Sequence, residues 1–174
     1  YIARDIRRMM TNPIFKFALR EDLKDNKMFL PTLGEPNATG YDVRAAQEDR
    51  KDIVLHYGQY FKIPLGFRAI PEDGWWYQLH PRSSTFAKKN LHGLIGIIDQ
   101  DFPLEVMFAG QYLPDKQSDI LTISFGEKIG QIIPYKKHNF VQVEITNEEY
   151  DLLILQKNAV RVGGFGSTTV KDIK

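Results

Sequence analysis

The sequence predicts an all-β domain, a sandwich or barrel built from many short strands. Three observations predict it. Apolar and polar residues alternate in short runs; Gly, Pro, Asn and Asp separate those runs at short intervals; and only brief stretches carry helical spacing. Alternation with a period of two puts one face of each run on a core and the other in water. Frequent turn residues then fold successive runs back on one another.

Residues 4–10 place Ile6, Met9 and Met10 at helical spacing between arginines, enough for one or two turns. Alternation begins with Ile14-Phe15-Lys16-Phe17-Ala18-Leu19 and returns at residues 53–57, 76–79, 121–124 and 140–143. Turn-rich stretches such as Leu33-Gly34-Glu35-Pro36-Asn37 and Pro71-Glu72-Asp73-Gly74 lie between them. Helices are expected over residues 84–89 and 148–156, the second opened by a Thr146/Glu149 capping box. With no internal repeat or low-complexity linker, the chain divides into an N-terminal extension (1–30), one β domain (31–160) and a C-terminal arm (161–174).

At 174 residues one domain can bury about 70% of its unfolded surface. Hydrophobic residues at 43% and charged residues at 26% place the chain among ordinary globular proteins rather than disordered ones. A net charge of +1 without a long basic run argues against a nucleic-acid surface, which needs clustered Lys and Arg. The absence of cysteine excludes disulfides and thiolate metal sites, and an intracellular, cytoplasmic setting is expected. Residues 94–98 form the longest apolar stretch; broken by Gly96, it is far too short to span a membrane. The first residues do not resemble a secretory signal.

Five short segments carry the chemistry. In Gly96-Ile97-Ile98-Asp99-Gln100-Asp101-Phe102 an apolar run ends in two carboxylates and an aromatic ring. It reads either as a strand entering an Asp turn or as a hairpin shaped to hold a flat ligand. In Pro81-Arg82-Ser83-Ser84 the proline suits the first turn of a helix, whose free amides and hydroxyls stabilise anions. Asp42, after Thr39-Gly40-Tyr41, stands at a strand start. Gly126-Glu127-Lys128-Ile129-Gly130-Gln131 reads as a turn and then a strand. Gly163-Gly164-Phe165-Gly166-Ser167-Thr168 combines three glycines, a ring and two hydroxyls, which suits a flexible arm approaching phosphate. It is not a P-loop, because the lysine before Ser/Thr is missing. His56, His80, His92 and His138 are scattered, so no fully protein-ligated metal site is expected.

Together, in this order and over roughly residues 31–169, the five segments resemble the motifs of the trimeric dUTPase family. The resemblance implies a distorted jelly-roll-like barrel, a homotrimer with sites between subunits, and hydrolysis of dUTP to dUMP and pyrophosphate. Such activity limits uracil in DNA and supplies dUMP for dTMP synthesis. It further implies that Asp99 orients the attacking water and meets the sugar 3′-hydroxyl. Gly93, Ile97, Ile98 and Met107 would line the uracil pocket, with Phe102, where the family usually has Tyr, under the sugar. Arg82, Ser83, Ser84 (Gly in the family pattern) and Gln131 would approach the phosphates. Asp42 would hold Mg2+ through water, as suits an ion that keeps several waters and takes few carboxylates. In the arm, Phe165 would stack on uracil while Arg161, Gly166 and Ser167 grip phosphate. Arg161 stands three residues before Gly164 rather than the usual four, and Lys157 is the alternative.

The related dCTP deaminases share the barrel and an Arg-Ser-Ser. They carry His-Arg where this chain has Gly96-Ile97, and their catalytic Glu falls on Ala109. A pyrophosphatase directed at dCTP or a modified dUTP, and a nucleotide-binding trimer that signals to a regulatory protein partner, stand as alternatives. Neither a nucleic acid nor a membrane is expected as partner.

Overall fold

Alternation becomes strand wherever a neighbouring run supplies a ladder, and in this chain almost every run finds one. The computed structural model describes residues 12–157. The chain divides into two units, Tyr1–His138 and Asn139–Lys174, taken separately below.

The first unit holds twelve strands in its described part: β1 (Phe15–Leu19), β2 (Thr32–Leu33), β3 (Tyr41–Arg44), β4 (Ile53–His56), β5 (Tyr60–Pro64) and β6 (Phe67–Pro71), then β7 (Trp75–Pro81), β8 (Leu91–Gly93), β9 (Gly96–Ile98), β10 (Met107–Tyr112), β11 (Ile120–Ile123) and β12 (Lys128–Lys136). One α-helix, α1 (Ser83–Lys89), and two short 3-10 turns (Glu21–Leu23 and Lys27–Phe29) interrupt them. The largest sheet runs in the order β2-β3-β12-β7-β9; a second is β5-β10-β8, and β1-β6 and β4-β11 form pairs. Every pairing is antiparallel. This is the all-β architecture that the alternation and the turns predicted, arranged as the jelly-roll-like barrel that the resemblance implies.

The core follows the period of two. In β6, Phe67, Ala69 and Pro71 turn inward while Arg68 and Ile70 face out. In β10, Phe108, Gly110 and Tyr112 are the buried set. Phe67, Ala69, Phe108 and Tyr112 belong to one continuous apolar cluster that also takes in Phe61, Ile63, Leu79, Ile123, Ile129 and Ile132. Gly110 is required where β10 meets β8: a Cβ there would overlap the carbonyl oxygen of His92 and come within 2.8 Å of the Gly93 Cα.

Two expectations are corrected here. Residues 15–30, assigned above to an extension, belong to the domain. β1 pairs residue by residue with β6, from Phe15 opposite Pro71 to Leu19 opposite Phe67. Leu23 and Phe29 are buried and form a small second cluster with Ala46. Arg20 fastens this segment by ion pairs to Asp22 and, at 2.9 Å, to Glu105, and by a hydrogen bond to the Ala46 carbonyl. The second correction concerns residues 140–143, which form no strand. A strand exists through its ladder, and no described segment pairs with this one.

Within the second unit, residues 139–146 run without regular structure, leaving Phe140 and Val141 81% and 88% exposed. Helix α2 (Asn147–Gln156) follows. Its Thr146 side chain accepts from the Glu149 amide while the Glu149 carboxylate accepts from the Thr146 amide, the expected capping box. No residue of α2 is buried. The helical turns expected at residues 4–10 and the arm at 161–174 lie outside the described residues.

Candidate active site

Asp42 opens the site. Strand β3 sends Val43 into the core, so Asp42, one residue earlier, lies on the opposite face. It is nonetheless only 7% exposed. A carboxylate at that depth needs partners, and it has two cations. Arg82 Nε lies 2.9 Å from Oδ1, and Lys128 Nζ lies 2.9 Å from Oδ2. Arg82 stands where β7 gives way to α1, with extended backbone, and Ser83 begins the helix. At seven residues α1 is a weak anion site in its own right; the positive charge here comes from side chains.

Gln131 lies directly across the ladder from Asp42 and donates from Nε2 to the Pro81 carbonyl at 3.2 Å. Gly40 makes room for it: a Cβ there would overlap the Gln131 carboxamide and lie 2.8 Å from its Cδ. Asp42, Arg82, Ser83, Lys128 and Gln131, with Gly34, Gly40 and the exposed Glu35, thus line one open cleft.

A second cleft lies along β9 and the turn after it. Here the expected hairpin is corrected: β9 pairs with β7 and with neither of its chain neighbours β8 and β10, which belong to another sheet. The pairing sets Ile98 opposite Tyr77 and Gly96 opposite Leu79. Gly93, at the base, presses on Phe108 and Pro81; a Cβ would approach the Phe108 Cζ to 2.7 Å. Beyond β9 the chain turns, the Phe102 amide donating to the Asp99 carbonyl at 3.2 Å. Gln100 braces this turn: Oε1 accepts from the Gly74 amide at 3.1 Å and Nε2 donates to Asp73 at 2.7 Å. Asp99 therefore projects from an anchored turn, exposed, in a cleft shared with Ile97, Asp101, Trp75, Trp76 and Lys137. Trp76 stacks on Tyr135 with ring centroids 4.9 Å apart.

Among the residues singled out from sequence, Asp42, Arg82, Ser83 and Gln131 come together, while Asp99 and Ile97 share the other cleft. Ile98 in β9 and Phe102 in the turn after it are half-buried, Ser84 is half-buried in the first turn of α1, and Met107 is exposed at the start of β10. Arg161, Phe165, Gly166 and Ser167, with their expected roles, lie outside the described residues.

Lys128 was missed. It belongs to the fourth segment, but three residues from Gln131 a regular strand would point it to the other face. The ladder between β12 and β3 is irregular here: Lys128 is opposite Arg44 and Gly130 opposite Val43, so Ile129 is an extra residue. Such a bulge reverses the phase of everything before it. Ile129 and Ile132, also three apart, both enter the core, and Lys128 and Gln131 both face the cleft.

The chain thus combines an antiparallel all-β fold with a cation-clamped carboxylate beside a serine in one cleft and a braced acidic turn in another. The dUTPase family model matches residues 26–169. A deoxyuridine 5′-triphosphate nucleotidohydrolase of Yarrowia lipolytica is 32% identical over 147 residues, covering 83% of this chain and 84% of its own. The corresponding protein of Ectopseudomonas mendocina is 33% identical over 142 residues, 79% of this chain and 85% of its own. The chain belongs to the dUTPase family. Among solved structures, a Streptococcus mutans dUTPase superposes with a TM-score of 0.61 at 22% identity, covering 72% of this chain and 98% of that one. The dUTPase of phage phi11 of S. aureus gives 0.63 at 18%, covering 77% and 98%. At these identities the likeness establishes the fold.

Proposed function

We propose that this protein hydrolyses dUTP to dUMP and pyrophosphate. The observation that carries the reading is the convergence of three separate segments, around Asp42, Arg82 and Gln131, on one cleft suited to phosphate. Arg82, the Ser83 hydroxyl and the Gln131 amide bind and orient the triphosphate there. Asp99 accepts a proton from a water whose oxygen bonds to the α-phosphorus in line, and the bond to the bridging oxygen breaks as pyrophosphate leaves. General-base assistance of this kind contributes about 10²–10⁴-fold. The segment from Gly93 to Phe102 reads the base with its backbone and sets the Phe102 ring against the sugar.

Mg2+ is part of the proposal. A variant of the phage phi11 enzyme is described with a structural Mg(II) ion. Among the described residues no group of three or more His, Asp or Glu gathers around one point. Asp42, a single buried carboxylate facing the phosphate cleft, fits an ion held through water whose remaining ligands are water and phosphate. When bound, it neutralises charge on the phosphates.

A homotrimer belongs to the same reading. Asp42 and Asp99 line different clefts of one chain, which fits a site that draws them from different copies. Exposed Phe140, Val141 and Val143 and an open apolar cleft lined by Phe15, Phe17, Trp75 and Tyr77 are surfaces that association would cover. The buried Tyr77 hydroxyl has no hydrogen-bond partner among the described residues.

The test is pyrophosphate release from dUTP, dTTP, dCTP and UTP under identical conditions. Turnover of dUTP is expected to exceed the other three greatly, since in this reading the Gly93–Phe102 segment excludes the thymine methyl and Phe102 excludes a ribose hydroxyl. Comparable rates on dCTP and dUTP would overturn it.

A further inference from the structure

The two cations nearest the phosphate cleft already have a partner: each oxygen of Asp42 holds one of them at 2.9 Å. Neither Arg82 nor Lys128 is buried away, their side chains being 32% exposed each against 9% for Asp42. They are fixed at the base of an open cleft by a carboxylate that cannot follow them outward, because β3 lies between β2 and β12. We propose that Lys128 is a phosphate-binding residue and that Asp42, Arg82 and Lys128 act as an exchange latch. A polyphosphate takes both cations, and only then is the Asp42 carboxylate free to receive a hydrated divalent cation. This rests on the assignment of the cleft as the triphosphate site and adds an order to it: free metal is refused, and metal enters with the anion.

Three features support this. The bulge at Ile129 serves to turn Lys128 out of the core phase and onto Asp42; without it the ammonium would face Ile132 and its neighbours. Gln131 and Ser83 reach the same cleft, so anion donors flank both cations. The remaining charge on the lining, Glu35, is exposed at the rim and makes no ion pair among the described residues. A divalent cation arriving alone therefore meets a carboxylate already neutralised on both oxygens. A polyphosphate meets two cations whose loss by Asp42 is made good by the metal it brings.

The experiment uses the full chain, inorganic tripolyphosphate and Mn2+, with no nucleotide and no turnover. Calorimetry measures tripolyphosphate binding without metal; electron paramagnetic resonance measures Mn2+ binding with and without the anion. Wild type should bind tripolyphosphate and take up Mn2+ only in its presence. Lys128→Gln should bind tripolyphosphate about tenfold more weakly, the scale of one hydrogen bond to a charged group. It should bind free Mn2+ more tightly than wild type, because one oxygen of Asp42 is released. Lys128→Arg should restore both. A purely structural lysine would not move the two affinities in opposite directions. Unchanged tripolyphosphate affinity in Lys128→Gln, or wild-type binding of Mn2+ that ignores the anion, overturns the latch, as does wild type that binds no tripolyphosphate. The dUTP assignment is judged separately, by the nucleotide panel.

Discussion

Substituting Gly40 by alanine tests the cleft without touching any charged group. Gly40 is not among the glycines with positive φ, so alanine fits the backbone. Its methyl, however, would occupy the place of the Gln131 carboxamide, with Cδ at 2.8 Å and Cβ at 3.2 Å. The far end of a glutamine moves more easily than either strand, so the side chain should swing away and the ladder hold. One side chain–backbone hydrogen bond, from Gln131 to Pro81, is then lost, costing about 0.5–1.5 kcal/mol of stability. If Gln131 donates to a phosphate, a hydrogen bond to a charged group disappears as well. That is about 1.5–3 kcal/mol, or roughly 10- to 150-fold in kcat/KM. Urea unfolding would give the first figure and steady-state pyrophosphate release the second. The decisive comparison is Gly40→Ala/Gln131→Ala against Gln131→Ala alone. Because the methyl acts only through the amide, the double variant should be no worse than the single one. Wild-type kcat/KM in Gly40→Ala, or additive losses in the pair, would refute the reasoning.

Other outcomes follow from the same geometry. Asp99→Asn should fold and bind nucleotide but lose about 10²–10⁴-fold in kcat, since an amide cannot accept the proton from water; near-normal kcat would remove the base. Mixing it with equal Asp42→Asn, and allowing subunits to exchange, should restore roughly a quarter of wild-type activity if each site draws the two carboxylates from different copies. No recovery would place both in one chain. Removing residues 163–174 should leave the oligomer unchanged by light scattering while turnover falls sharply, and full activity would exclude a role for the glycine segment. Finally, the hydrogen bond from Arg20 holds the Asp22 carboxyl below its usual range. A depressed carboxylate stabilises above its unfolded pKa and loses that contribution as pH falls through the folded one. Asp22→Asn should thus lower stability by less than about 1 kcal/mol at pH 7, with the difference beginning to shrink below about pH 4 and vanishing only once the depressed folded pKa is passed. A gap that persists in acid would show that the charge is irrelevant.

The strands were legible where alternation could be seen and a partner was near. The alternating runs at residues 14–19, 53–57, 76–79 and 121–124 all fall on strands that pair. The Thr146/Glu149 box was legible because it is wholly local. Residues 140–143 show the limit: alternation states that a segment can pair, whereas pairing depends on an edge the segment itself does not encode. The integration of residues 15–30 was hidden for the same reason, since β1 depends on β6 some fifty residues away. Within the cleft, Asp42, Arg82 and Gln131 could be named because they stand in short quotable segments. Lys128 stands in one too, yet its direction is set by a bulge, and one inserted residue leaves no mark on composition or spacing. That Asp42 and Asp99 line separate clefts was equally invisible, because sequence order carries no statement about which surface a hairpin faces.

The bulge at Ile129 has a partner of its own. Thr85, 1% exposed on α1, donates its hydroxyl to the Ile129 carbonyl at 2.9 Å. Were β12 to slip by one residue and erase the irregularity, the ladder with β3 would become regular. Thr85 would be left with a buried hydroxyl facing nothing, and Lys128 would be driven among isoleucines. Either error alone is costly, an unpartnered buried hydroxyl about 1–3 kcal/mol and an unpaired buried ammonium more. A chain this rich in short, similar strands has many near-miss alignments. The defect in its longest strand thus serves as a registration mark, rejecting misaligned barrels during folding.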